Sequence, residues 1–267
     1  MLFAKYFNIL ILLFLSIFCC VQATTAQELE ELVWLTEDYP PFAYVNEQGE
    51  PDGLYVNIVK ALWKKAGIDA NTKISVLPWA RAYKLAQTDK KYVLFPMKMS
   101  DPRKKLFRFL GPINGLSDNG IIVKSDALKS YKQNVSLINH INLKKNCGIG
   151  VLLHSSDINE LLWRGVKEDC LVKVSTVDQL ARMLIKDRLQ FVTSDKATIM
   201  WELEKLGEKL PDYKMIYVFE PSDGGIALHK KVGNETYDVL NQAFNELATE
   251  SFFEKIMSDY LNNRSQP

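Results

Sequence analysis

Apolar residues along this chain follow two alternating patterns. Short apolar runs are separated by stretches in which apolar positions return every three or four residues. The first pattern predicts strands and the second predicts amphipathic helices. Leu32 to Leu35 (LVWL) is a strand-like run, and Ile58, Val59, Leu62, Trp63 and Ala66 share one helical face. Lys73 to Leu77 reads as a second strand and Tyr92 to Phe95 as a third. Between them, Trp79 to Ala86 suits a helix entered through Pro78. Gly120 to Val123 opens a further segment. The order then repeats through Ile149–Leu153, Ile158–Trp163, Val172–Val174, Val177–Ile185 and Phe191–Thr193. Two β-α-β-α-β units imply parallel sheets with helices on their faces. Gly224-Gly225 precedes a late strand, IALH. Tyr237 to Tyr260 carries Leu240, Phe244, Leu247 and Ala248 on one side, as a helix packing back on the first unit would. The final NNRSQP reads as a frayed end. The fold class expected is α/β with two lobes and a cleft between them. Loops at the carboxyl ends of the strands are where such sheets bind ligands, and hinge closure follows.

The N-terminus carries a different pattern. Tyr6 to Phe18 is nearly all apolar, Lys5 is the only charge before Glu28, and small residues follow, with Ala23 and Ala26 as cleavage points. Residues 1–26 therefore read as a secretory signal peptide, which places the mature chain in the periplasm. An uncleaved anchor is the competing reading, but the run is short for a span of ~20 residues. Lipoprotein processing at Cys19 or Cys20 is disfavoured by the bulky residues before each. The chain has 33 Lys+Arg and 32 Asp+Glu. Removing the signal takes Lys5 and no acid, so the mature chain is formally neutral. That argues against a nucleic-acid partner. The expected division is 27–115 plus 221–267 for one lobe and 116–220 for the other.

Two cysteines remain, Cys147 and Cys170, each just before a strand-like run. If those strands are parallel neighbours, ~4.8 Å apart, the sulfurs are within disulfide reach in an oxidising compartment. Two buried thiols are the alternative. With His140, His154 and His229 scattered, no metal-ligand spacing exists, and neither metal nor cofactor is expected.

Candidate binding chemistry lies at strand ends. In TEDYPPF, Pro40 and Pro41 remove two backbone donors and stop the strand. The resulting loop presents Tyr39 and Phe42 either as an apolar wall for a ligand or as core rings. FPMKMSDPRKKLFRFLGPI (95–113) carries Lys98, Arg103, Lys104, Lys105 and Arg108. Arginine suits a carboxylate through its planar fork, and Ser100 with Pro102 marks a helix start. A solvated basic helix is the plainer reading. In HSSD (154–157), Ser155 and Ser156 suit a helix cap or an anion contact. Asp195 ends the strand FVT and could pair with an amine or serve as a turn residue. Trp79 and Arg81 open the second helix, as cleft residues or as core and surface.

Taken in order, these motifs resemble the extracellular solute-binding proteins of the polar amino-acid importer family, over roughly Leu32 to Leu261. YPPFAYVNEQGEPDGLYVNIVKAL resembles the family's opening signature, MKMSDPRKKLFRFLGPI its arginine motif and GVLLHSSD its second-lobe hydroxyl loop. VTSD resembles the strand ending in aspartate, and GGIALHKK the closing element. The resemblance implies a two-lobe, type II periplasmic binding fold, a monomer that captures a small carboxylate-bearing solute for ABC importer subunits. It implies Arg103 for the ligand carboxylate, Ser156 assisting, Asp195 for the amine, and Tyr39 stacking with Phe42 and Trp79 nearby. Three positions depart from the pattern. Thr36 aligns with the usual first-lobe amine-binding aspartate, Lys98 with a serine or threonine, and Asn57 with an aspartate. One acid lost and one cation gained point away from a cationic amino acid.

Other functions fit the same scaffold. Exported dehydratases and lytic transglycosylases are related in fold, and fold does not decide function. No Ser-His-Asp spacing or close carboxylate pair stands out, and His154 is the one histidine near the expected cleft. A sensor or partner-binding module with a vestigial cleft is the third reading.

Overall fold

The computed structural model describes residues 26–69, 72–113, 118–130, 137–143, 147–220, 223–249 and the positions 252, 255 and 256. Residues 1–25 of the expected signal segment lie outside these residues, as do most of the positions after Thr249 in the expected C-terminal helix and the NNRSQP tail.

The first lobe is built on β1 (Val33–Thr36), β4 (Ile74–Val76), β5 (Tyr92–Lys98), β6 (Phe107–Ile113) and β12 (Gly224–His229), in the order β4-β1-β5-β12-β6. β1 pairs in parallel with β4 and β5, while β12 runs antiparallel between β5 and β6. A small hairpin, β2 (Tyr44–Val45) with β3 (Pro51–Asp52), follows β1. Helix α1 (Leu54–Ala66) buries Leu54, Tyr55, Ile58, Val59, Leu62 and Trp63 on one face of this sheet. Helix α8 (Asn234–Thr249) packs Leu240, Phe244 and Leu247 into the same cluster. Helix α2 (Trp79–Ala86) covers the other face through Trp79, Ala82 and Ala86.

The second lobe carries β7 (Asn119–Lys124), β8 (Ile149–Leu152), β9 (Leu171–Val174), β10 (Phe191–Asp195) and β11 (Tyr213–Val218), in the order β11-β7-β10-β8-β9. Its helices are α4 (Leu137–Leu143), α5 (Ser156–Trp163), α6 (Val177–Ile185) and α7 (Lys196–Lys205). Separate apolar clusters fill its two faces. β8 and β9 are parallel neighbours, and Cys147 and Cys170 just ahead of them are bridged, with Cα atoms 5.0 Å apart. Among the described residues no helix is long and apolar enough to cross a membrane.

The sequence pattern missed four strands, the two-residue β2 and β3 and the longer β6 and β11. β6 and β11 are the outer strands of their sheets. An outer strand tolerates Gly111 and Pro112, which hide β6 from a periodicity search. β5 also runs past its expected end at Phe95. Ladder register shifts between Gly225 and Ala227 opposite Pro96, so the missing N–H falls at a bulge.

Candidate functional site

The loop after β1 is fixed by its own backbone. The Tyr39 N–H donates to the Ala43 carbonyl at 2.7 Å, and the Phe42 and Ala43 N–H groups return to the Tyr39 carbonyl. The Pro41 and Phe42 carbonyls then accept the first N–H groups of α1, from Leu54 and Tyr55. This brings the loop backbone against Gly53, where φ is 114° and an added Cβ would sit 2.7 Å from the Phe42 carbonyl carbon. Only glycine fits there.

Beneath this loop a cavity of about 100 Å³ opens between the lobes. Tyr39, Trp79, Lys98 and Arg103 line it from the first lobe; Ser156 and Asp195 line it from the second. Two expected residues do not. Phe42 is 5% exposed and belongs to the core under α1, with its ring 5.2 Å from Tyr39. Arg81 lies on the exposed face of α2, since Trp79 and Ala82 take the buried face.

Arg103 is buried on α3 (Asp101–Lys104), a single turn with Ser100 at its N-cap position. Its guanidinium carbon lies 4.9 Å from the Trp79 ring centre and 5.3 Å from that of Tyr83. Its donors reach the carbonyl oxygens of Lys98 and, across the cleft, His154, each at 3.4 Å. Among the described residues no carboxylate lies within ion-pair distance of it. The rest of the basic cluster turns away: Lys104 and Lys105 are exposed, and Arg108 stacks on Tyr237.

Asp195 ends β10 and caps α7. Its Oδ1 accepts from the Thr198 N–H at 3.1 Å and Oδ2 from the Asp118 N–H at 2.9 Å. Burial nevertheless pushes its carboxyl up to about 6, against those bonds. The Thr198 hydroxyl, 3.4 Å from Oδ1, and the Ala197 N–H also donate to this carboxylate, so an amine in the cavity would share oxygens that already accept from the protein.

Glu37, Asp157 and Ser194 are among the lining residues that escaped the sequence reading. Glu37, one residue beyond Thr36, faces the cavity, whereas Thr36 is wholly buried behind it. Burial pushes the Glu37 carboxyl up to about 8, with the Arg103 charge opposing and Asp38 and Asp157 adding to the rise. Asp157, in the first turn of α5, is buried beside Thr193, Lys98 and Arg103, and burial raises its carboxyl too. Ser194 precedes Asp195. The cavity thus carries three carboxyls against two cations, so the loss of an acid at Thr36 does not make it acid-poor. The position of Glu37 at the carboxyl end of β1, matching Asp195 at the end of β10, was the available signal. Three buried polar atoms on the lining residues lack a hydrogen-bond partner: Trp79 Nε1, Ser155 Oγ and Ser194 Oγ. Buried polar groups are rarely left so, and here they surround a cavity. Among the described residues no cluster of side chains could hold a metal ion.

Known structures share this architecture. A mutant of ArgBP from T. maritima superposes with a TM-score of 0.70 and 19% identity, over 87% of this chain and 96% of that one. The substrate-binding protein of an ABC uptake transporter from Streptococcus pneumoniae, solved with bound histidine, gives 0.71 and 15%, over 88% and 94%. A histidine kinase sensor domain with similarity to periplasmic binding proteins gives 0.70 and 15%, over 86% and 96%. The fold is the two-lobe, type II periplasmic binding fold. No curated protein sequence matches the chain. The model of bacterial extracellular solute-binding proteins, family 3, matches residues 32–263, and the chain belongs to that family.

Proposed function

We propose that this protein is an exported, non-catalytic solute-binding protein that closes its lobes around a small amino acid or related zwitterion and delivers it to an ABC importer. The observation that carries this reading is the placement of Arg103 and Asp195. They come from opposite lobes and line one small cavity. A carboxylate at Arg103 and an amine at Asp195 then bridge the lobes, and ligand binding stabilises the closed arrangement. Tyr39 and Trp79 supply apolar wall. Trp79 Nε1, Ser155 Oγ and Ser194 Oγ supply hydrogen bonds that a polar solute would complete. A neutral amino acid fits the balance of charges in the cavity, because Glu37, held up to about 8 by burial, stays largely protonated at neutral pH.

A thermal-shift screen of the refolded, ligand-free mature chain tests this. Its panel holds amino acids, dicarboxylates and short peptides. A ligand at ~1,000 times its dissociation constant adds ~4 kcal/mol, and each kcal/mol moves the midpoint of a chain this size by about 2–4 °C. A shift confined to amino acids supports the reading, and a panel with no response refutes it.

A further inference from the structure

The loop after β1 faces two ways. Glu37 and Tyr39 line the solute cavity, while Asp38 and Pro40 line a second groove of about 650 Å³. Alternation is what an extended segment does with successive side chains. Helix α7 is used in the same manner from the other lobe. Its cap, Asp195, lines the cavity, whereas Trp201, Glu202 and Lys205 further along line the groove. Two of the elements that line the solute site, one from each lobe, therefore line this groove as well.

The groove has a specific chemistry. Tyr44 from the first lobe and Trp201 from the second meet in it, with ring centres 5.4 Å apart. Its lining charges are one-sided: Asp38, Glu47, Glu202 and Glu204 against Lys205. Glu202 is 2% exposed, and its Oε2 has no hydrogen-bond partner, with only Lys205 Nζ at 3.7 Å. A buried carboxylate oxygen without a hydrogen-bond donor is costly. Burial accordingly raises the carboxyls of both Asp38 and Glu202.

We propose that this groove docks a basic segment of a partner protein, with an Arg or Lys side chain over the Tyr44 and Trp201 rings and bonded to Glu202. Aromatic faces and a desolvated carboxylate are the groups that recognise such a side chain. The two walls come from different lobes, so the groove is complete only when the lobes are together. A partner that reads it reads the closed form; this clause rests on the solute-binding reading above.

The test uses the mature chain, alone and with each compound of the solute panel at saturation, and a fluorescein-labelled peptide of alternating arginine and leucine, followed by anisotropy. A glutamate-leucine peptide serves as control. The arginine peptide is expected to bind and the glutamate peptide is not. Glu202→Gln and Glu47→Gln should each weaken binding about tenfold, as loss of a charge partner does. Tyr44→Ala and Trp201→Ala should both weaken it, one from each lobe. Glu30→Gln, an exposed carboxylate outside the groove, should leave it unchanged. Glu47 is on the surface and serves if a change at Glu202 disturbs folding. No binding up to about 1 mM peptide, or equal loss with Glu30→Gln, overturns the proposal. The solute panel is run on the same samples. Peptide binding without any solute response would refute the solute reading and leave the groove standing.

Discussion

Arg103 reaches from the first lobe to the second, where its Nη2 donates to the carbonyl oxygen of His154 at 3.4 Å. His154 holds φ at 60°, an uncommon conformation outside glycine. Its ring lies 6.4 Å from Tyr83, which also packs on the Arg103 guanidinium. A long bond to a neutral carbonyl is a weak use of a buried guanidinium. A carboxylate makes shorter and stronger bonds with the same donors. Arg103→Ala is therefore expected to cost about 2–5 kcal/mol of solute binding, the usual loss when one partner of a buried charge pair is truncated. Arg103→Lys should recover only part of it, because an ammonium lacks the planar fork. Calorimetry with the solute that gives the largest thermal shift measures both; unchanged affinity in Arg103→Ala sinks the assignment.

Asp195 has two tasks that substitution can separate. It caps α7 and holds the Asp118 N–H, and it faces the cavity. Asp195→Asn keeps one side-chain oxygen for the backbone, sets an amide NH2 against the other N–H and loses the charge. Binding of an amine-bearing solute should fall at least tenfold, with a stability loss of about 1–3 kcal/mol for the one N–H left without an acceptor. Asp195→Ala orphans both N–H groups and should cost more stability than Asp195→Asn. Equal binding by wild type and Asp195→Asn would remove this residue from the site.

The cavity carboxyls predict a pH dependence of the ligand-free chain. Glu37 is raised from 4.5 to about 8 and Asp195 from 3.8 to about 6, both chiefly by burial. The folded chain thus holds protons that the unfolded chain has released. That contribution to stability is complete below the unfolded values. It declines as pH rises, through about 6 for Asp195 and about 8 for Glu37. Glu37→Gln cannot ionise, so it should lose less stability than wild type between pH 4.5 and 8. Parallel midpoint curves for the two proteins across that window would contradict the burial of Glu37.

The Cys147–Cys170 bridge closes a short loop, at a sequence separation of 23. By loop-closure entropy such a bridge contributes about 3 kcal/mol. Replacing both cysteines by serine should lower the thermal midpoint by roughly 6–12 °C. Reduction of the wild type should give a similar loss. Solute affinity should change little, because the bridge lies ahead of β8 and β9 and the cavity takes residues beyond the other end of β8.

Much of this molecule is legible in its sequence. Interior strands such as β1, β8 and β10 are apolar runs because both faces of each sheet are covered. Helices α1, α2 and α6 show their buried stripe because burial selects residues at helical spacing. Motif order along the chain was sufficient for the family, and strand ends were sufficient to nominate Arg103, Ser156 and Asp195 for one cleft. Tertiary structure alone decided which neighbours face it. Phe42 entered the core while Tyr39 lined the cavity. Of five clustered cations only Lys98 and Arg103 turned inward, and Arg81 stayed outside. The cleft acid of the first lobe stands at Glu37 instead of Thr36. A one-residue step along extended chain reverses the side a residue faces, and local sequence does not encode that choice. It is made by the packing of the β1 loop on α1 through Gly53, and by the approach of one lobe to the other.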